Sequence, residues 1–312
     1  MTNSKCQFCQ GESFTTFQTY KHLWYSCDTC GNMFCTKKTK YFLSPVASFL
    51  LNGTTKRIIT KLPFGRTFLS YLTFLMPGLD SVDLYDEYLA DGKSDSSGTA
   101  YQGIAQKILD EFKGYEISFT DKSVLDISGG PGYVIKELSR HCANVVVSEY
   151  SPNTVRRMSE VLELPSFQYD FNKDDISEKT NEKFDIVLIR HSLNFCLDVN
   201  QLLKSLKKAL NKDAIIYVTF VTPTLATCVR WQFEDYIYHT LFNPETVSKI
   251  FAQEGFDEIS KHYTVDSYYM DGKKLLFPIM YPYRIINSRK NNINVDLNTK
   301  GAVMVFKLKN EI

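Results

Sequence analysis

Four short segments constrain the fold more than anything else in the chain: SVLDI (123–127), NVVVSE (144–149), FDIVLIR (184–190) and AIIYVTFV (214–221). Each is an apolar, β-branched run with little polar alternation, as expected of a strand buried on both faces. Helical patterns separate them: GYVIKELSRH, PNTVRRMSEVLE with proline near its start, and VNQLLKSLKKAL. SFQYD (166–170) reads as a further strand and GAVMVFKLK (301–309) as the last. NPETVSKIFAQEGF is a helix, with Asn243 as its N-cap and Gly255 as its stop. Strands of this kind alternating with helices predict an α/β domain: a mostly parallel sheet with helices on both faces.

Ligands of such sheets sit beyond the carboxyl ends of the strands, which directs attention to VLDISGGPGY (124–133). An acid at a strand tip is followed at once by backbone almost without side chains. A dinucleotide fingerprint fails here, because the position of its third glycine is Ile135, and no Gly-Lys-Ser/Thr phosphate loop is present. S-adenosylmethionine fits better. It carries no phosphate, and it needs an acid near its ammonium group, close backbone approach and a carboxylate for its ribose diol. Asp126 supplies the first and Ser128, Gly129, Gly130 and Gly132 line the second. Glu149, ending the second strand, supplies the third. Asp170, ending the third strand, is placed to accept from the adenine amino group, and Tyr150 to pack on the ring.

Cys6-Gln-Phe-Cys9 and Cys27-Asp-Thr-Cys30 form two Cys-x2-Cys pairs separated by 17 residues. This spacing predicts a structural zinc ribbon, in which four thiolates close the coordination shell. Cys35 is a fifth candidate ligand; Cys142, Cys196 and Cys228 read as small core residues. The expected organisation is a zinc ribbon at 1–38, an aromatic and basic helical connector at 39–100, and the α/β domain at 101–312.

Net charge is +1 over 312 residues, which makes no general case for nucleic acid. The first 75 residues nevertheless hold nine cations against two anions, Glu12 and Asp28. This basic front and the apolar stretch FLSYLTFLMPGL (68–79) allow peripheral contact with an anionic membrane, against the plainer reading of a buried aromatic segment. MTNSKCQFCQ has no apolar leader, so the expected location is cytoplasmic.

VLDISGGPG…VVVSEY…FQYDF…FDIVLIRHSLNFCLD resembles the class I S-adenosylmethionine-dependent methyltransferases, across about residues 101–312. WYSCDTCGNMF, LYDEYL and HTLFNPETVSKIFAQEGF resemble the bacterial members that carry an N-terminal zinc ribbon and act in glycan or small-molecule biosynthesis. The resemblance implies a Rossmann-like methyltransferase fold with a seven-stranded sheet, and a segment made here by His239, Phe242 and Pro244. Two departures stand out. Ser128 replaces a glycine, which is compatible with the loop as long as its φ stays negative. Arg190-His191 stands where the family often has Glu-His.

Methyl transfer from a sulfonium is an in-line displacement that asks of the protein proximity and, for a hydroxyl acceptor, a base. His191, after the fourth strand, is the first candidate for base or acceptor contact, and His239 the second. Arg190 is suited to an anionic group or a loop acid. The acceptor reads as a small molecule, a sugar or glycan hydroxyl. A ribbon-bearing RNA methyltransferase and a non-catalytic S-adenosylmethionine-binding protein are the competing readings. The sequence does not address the oligomeric state.

Overall fold

The computed structural model describes residues 5–18, 22–38, 99–223, 239–265 and 299–309. The connector up to residue 98, including the 68–79 stretch, lies outside these, as do Cys228 and the side chain of Cys35. Among the described residues, no helix is long and apolar enough to cross a membrane.

The chain begins with three strands, β1 (Phe14–Gln18), β2 (His22–Cys27) and β3 (Met33–Lys38), paired in antiparallel order. Helix α1 (Thr99–Gly114) leads into the larger unit. There follow β4 (Ser123–Ile127), α2 (Tyr133–Leu138), β5 (Asn144–Glu149), α3 (Pro152–Leu162) and β6 (Ser166–Gln168). The chain then runs through β7 (Phe184–Arg190), α4 (Val199–Lys207) and β8 (Leu210–Val221). It closes with β9 (Thr240–Leu241), α5 (Pro244–Gln253), β10 (Phe256–Val265) and β11 (Thr299–Leu308).

Seven strands form one sheet in the order β10-β11-β8-β7-β4-β5-β6, and β1-β2-β3-β9 form a second. In the large sheet β8, β7, β4, β5 and β6 are parallel, and β11 is antiparallel to both β8 and β10. The expected α/β class is therefore correct. The apolar runs are explained by the layers: Leu125, Val146 and Val187 point into one core with α4 and α5, while Val124, Val147 and Leu188 point into another with α1 and α2. Ala105, Ile108 and Phe112, at helical spacing, turn one face of α1 toward that second core.

The caps behave as the residues dictate. The Asn243 side chain accepts from the Glu245 N–H at 3.0 Å, and Pro244 opens α5. Gly255 has φ 86°, the left-handed conformation expected of a helix stop. Several bounds differ from expectation. β6 ends at Gln168, two residues short of Asp170, and α2 ends at Leu138 rather than at His141. β10 and the two-residue β9 have no counterpart in the sequence reading. β9 extends the N-terminal sheet, with Met33 opposite Leu241 and Phe34 opposite Thr240.

Candidate functional site

The strand order reverses at β4. From there the chain builds outward through β5 and β6, then returns to lay β7 and β8 on the other side. Crevices at such switch points accept ligands, because the loops leaving the two neighbouring strands diverge there. An ion pair spans this one. Arg190 at the end of β7 donates to Asp126 of β4 through Nη2 at 2.6 Å and Nε at 3.3 Å. The Asp126 side chain is 0% exposed and that of Arg190 14%. Asp126 therefore sits behind the guanidinium rather than at the open surface that direct contact with a ligand ammonium requires.

The turn after β4 is forced by packing. A Cβ on Gly129 would stand 2.6 Å from Val147 Cγ1 and 2.9 Å from an Asp126 carboxylate oxygen, and one on Gly132 2.9 Å from the Met158 sulfur. Gly130 (φ 60°) and Gly132 (φ 80°) occupy the left-handed region. Ser128 does so too, at φ 53°, contrary to the expectation of a negative φ. The turn keeps its shape, and Ser128 carries the strain that a glycine would avoid. Here the geometry of the loop prevails over the preference of one residue.

Glu149 ends β5 beside this turn and is 2% exposed. Its Oε2 accepts from the Gly130 N–H at 3.0 Å and its Oε1 from the Tyr150 N–H at 2.7 Å. Burial, aided by the charge of Asp126, pushes its carboxyl up to about 7, while those two N–H groups pull the other way. The Ser151 N–H also favours the ionised form, and the acceptor capacity left over is available to a ligand hydroxyl. Tyr150 is 55% exposed. Asp170 is engaged locally: it accepts from the Asn172 N–H at 3.1 Å and pairs with Lys173 at 2.8 Å. It holds a turn rather than ending a strand.

His191 follows Arg190 in the left-handed conformation, φ 57°. Its N–H is shared between the Thr219 carbonyl (2.9 Å) and hydroxyl (3.0 Å) of β8, which fixes the turn. His239 immediately precedes β9, and its N–H donates to the Asn194 carbonyl at 2.8 Å. Asn194, fully buried, accepts from the Val221 N–H and donates to the Val221 and Thr240 carbonyls, all within 2.9 Å. It ties the turn after β7 to the segment that carries His239. Neither Asn194 nor Thr219 carries a sequence signal that would have singled it out.

In the N-terminal unit the sulfurs of Cys6, Cys9, Cys27 and Cys30 all lie within 4.8 Å of one another. Two cross-pairs are at 3.8 Å (Cys6–Cys30) and 3.5 Å (Cys9–Cys27). A tetrahedral zinc tetrathiolate with Zn–S near 2.3 Å requires sulfurs about 3.8 Å apart, so the four residues fit a zinc ion. Backbone N–H groups already face the sulfurs, with Gly11 N–H 3.4 Å from that of Cys9. The hydrogen bond with Cys30 is the main cause that lowers the Cys6 thiol to about 5, and the same contact raises Cys30. Cys142 is half-buried and Cys196 fully buried, as expected of packing residues.

A seven-stranded sheet in this order, with its crevice at the β4–β7 switch, is the fold of S-adenosylmethionine-dependent methyltransferases. Residues 99–261 match a family described as "Methyltransferase domain", and the chain belongs to that family. Solved structures are similar to this chain. A chain of the complex that contains the Haloferax volcanii Trm112 methyltransferase activator is 15% identical, with a TM-score of 0.52, covering 75% of this chain and 98% of that one. The N-methyltransferase NodS of Bradyrhizobium japonicum, solved with S-adenosyl-L-homocysteine, is 13% identical, with a TM-score of 0.48 and coverage of 74% and 100%. A comparison with curated proteins finds no match.

Proposed function

We propose that this methyltransferase uses S-adenosylmethionine to methylate a hydroxyl of a small molecule, a sugar or glycan intermediate, and that residues 1–38 form a zinc ribbon beside its catalytic domain. The observation that carries the cofactor reading is the charge around the glycine turn. Asp126 and Glu149 face it from adjacent strands, and Arg190 neutralises only one of them. The unpaired carboxylate of Glu149 disfavours a pyrophosphate and suits hydroxyl donors. The bound cofactor supplies an electrophilic methyl group on a sulfonium. Glu149 accepts the ribose hydroxyls. Arg190, oriented by Asp126, presents its remaining N–H donors to the carboxylate of the methionine part. Gly130, where an added Cβ would meet nothing within 4 Å, leaves the backbone open to the ligand, and Tyr150 offers an exposed ring to adenine.

On the acceptor side, His191 takes a hydroxyl proton as the oxygen attacks, with His239 on the neighbouring segment. Support for a hydroxyl acceptor is the fixed turn that holds His191 at the end of β7, together with a near-neutral chain. The test is a transfer screen with labelled cofactor against nucleotide sugars, lipid-linked glycans and bulk RNA. Label confined to a sugar hydroxyl and lost in His191→Ala is expected. Label in RNA alone would overturn the acceptor, and full activity of His191→Ala would remove that residue from the chemistry.

Glu149 makes a second prediction. An acid whose folded pKa lies above its unfolded one holds its proton more firmly in the native state. The ligand-free protein is therefore stabilised by this group at low pH, and that contribution is lost as pH climbs from 4.5 to about 7. Ribose hydroxyls favour the ionised form, so affinity for S-adenosylhomocysteine is expected to rise with pH through about 7. Glu149→Gln should flatten that profile, and Glu149→Ala should weaken binding by about 1.5–3 kcal/mol. Calorimetry across this range decides it; a flat wild-type profile places the ribose elsewhere.

A further inference from the structure

The two cysteine knuckles do more than bring four sulfurs together. Each reaches across to one short segment of the catalytic domain, His239–Asn243. In the second knuckle the Cys27 N–H donates to the Asn32 carbonyl at 2.9 Å, and the Asn32 N–H lies against the Cys30 sulfur, where it favours the thiolate. The same residue, fully buried, accepts the Asn243 N–H on its Oδ1 at 2.6 Å, across 211 positions of sequence. In the first knuckle Phe8, between Cys6 and Cys9, sets its ring edge-on to Phe242 at 5.3 Å. Between these contacts β3 pairs with β9.

The segment is gripped from its other side by Asn194, which binds the Thr240 carbonyl with its side chain and the His239 N–H with its own carbonyl. That second grip comes from the turn just past His191. A buried amide that loses its acceptor costs free energy comparable to a lost hydrogen bond. With Asn32 in place, both ends of the segment are therefore fixed to rigid partners.

We infer that Asn32 is a positioning residue, through which the cysteine cluster fixes the His239–Asn243 segment against the catalytic domain and so sets the acceptor side of the site. The ribbon is then a built part of the acceptor wall. The cofactor turn at 128–132 makes none of these contacts and is independent of it. This assignment rests on the reading of His239 as an acceptor-side group.

The experiment uses the full-length, zinc-replete protein and its Asn32→Ala and Asn32→Leu variants. Asn32→Ala is expected to keep its zinc and its affinity for S-adenosylhomocysteine within about twofold. Amide exchange over 240–243 should quicken by about tenfold or more, and the His239 imidazole resonance should move while those of His141 and His262 do not. Asn32→Leu keeps the volume and removes only the polar group, and should reproduce both changes. Cobalt substitution, read through thiolate charge-transfer bands, checks that the metal shell is unchanged. Unaltered exchange and an unmoved His239 in Asn32→Ala overturn the inference. So does loss of zinc from that variant, which would make Asn32 a part of the metal shell alone. A wild-type protein that does not bind S-adenosylhomocysteine defeats the cofactor reading and leaves the exchange result standing.

Discussion

Replacing Cys27 and Cys30 together by serine is expected to abolish zinc binding and unfold the N-terminal sheet. The described part of that sheet buries few large side chains, Trp24, Met33 and Phe34 among them. A module of this size cannot hold itself together by apolar burial. Structural zinc in small modules contributes about 10–16 kcal/mol at neutral pH, so the loss is far larger than any single packing change. Elemental analysis should fall from about one zinc per chain to near zero. Exchange protection across β1–β3 should vanish with it, while β4, β5 and β7 stay protected. Retention of a full equivalent of zinc by the double variant would falsify the tetrathiolate assignment.

Asp126→Ala carries the second large effect. Removing one partner of a buried ion pair typically costs about 3–5 kcal/mol, because the other charge is left without compensation. Arg190 keeps 14% exposure, so the low end of that range is expected. Affinity for S-adenosylhomocysteine should drop more than tenfold, since Arg190 loses the carboxylate that orients it. Arg190→Met in the same background should recover most of the stability and none of the binding. That divergence separates a structural ion pair from a binding one. A single variant as stable as wild type, with unchanged affinity, would mean that the pair contributes neither.

What the sequence made legible follows from how local each feature is. β4, β5, β7 and β8 are apolar because both of their faces are covered, and that shows in any short window. Asn243 and Pro244 announce the start of α5 because a cap is a contact over two or three residues. The four cysteines signal their cluster through spacing alone. Most of what the sequence hid is set at a distance, and Asp170 and Ser128 are local exceptions. Asp126 reads as an open acid, and the partner that covers it lies 64 positions away in Arg190. β10, FDEISKHYTV, mixes charges into its run and becomes a strand only because β11 returns beside it. Asp170 reads as a strand tip, but the DFNKD run after β6 has the chemistry of a turn, and the turn wins. Ser128 shows that a serine can hold a left-handed position when strands fix both ends of its loop. Asn32 and Asn194 act across long separations through single amides, which leave no local pattern.

The place of β11 bears on how the protein comes off the ribosome. It is the last described strand, yet it is interior, with β8 on one side and β10 on the other. Until Gly301–Lys307 has been synthesised, Ile215–Val221 has no neighbour on that edge and β10 has no sheet to join. A nascent chain therefore carries an open, apolar strand edge while the segment between Val221 and Gly301 is made. The final closure is a long-range pairing, which is slow relative to local helix formation. The vulnerable interval is the one between synthesis of β8 and of β11, when a delay exposes β8 to other chains.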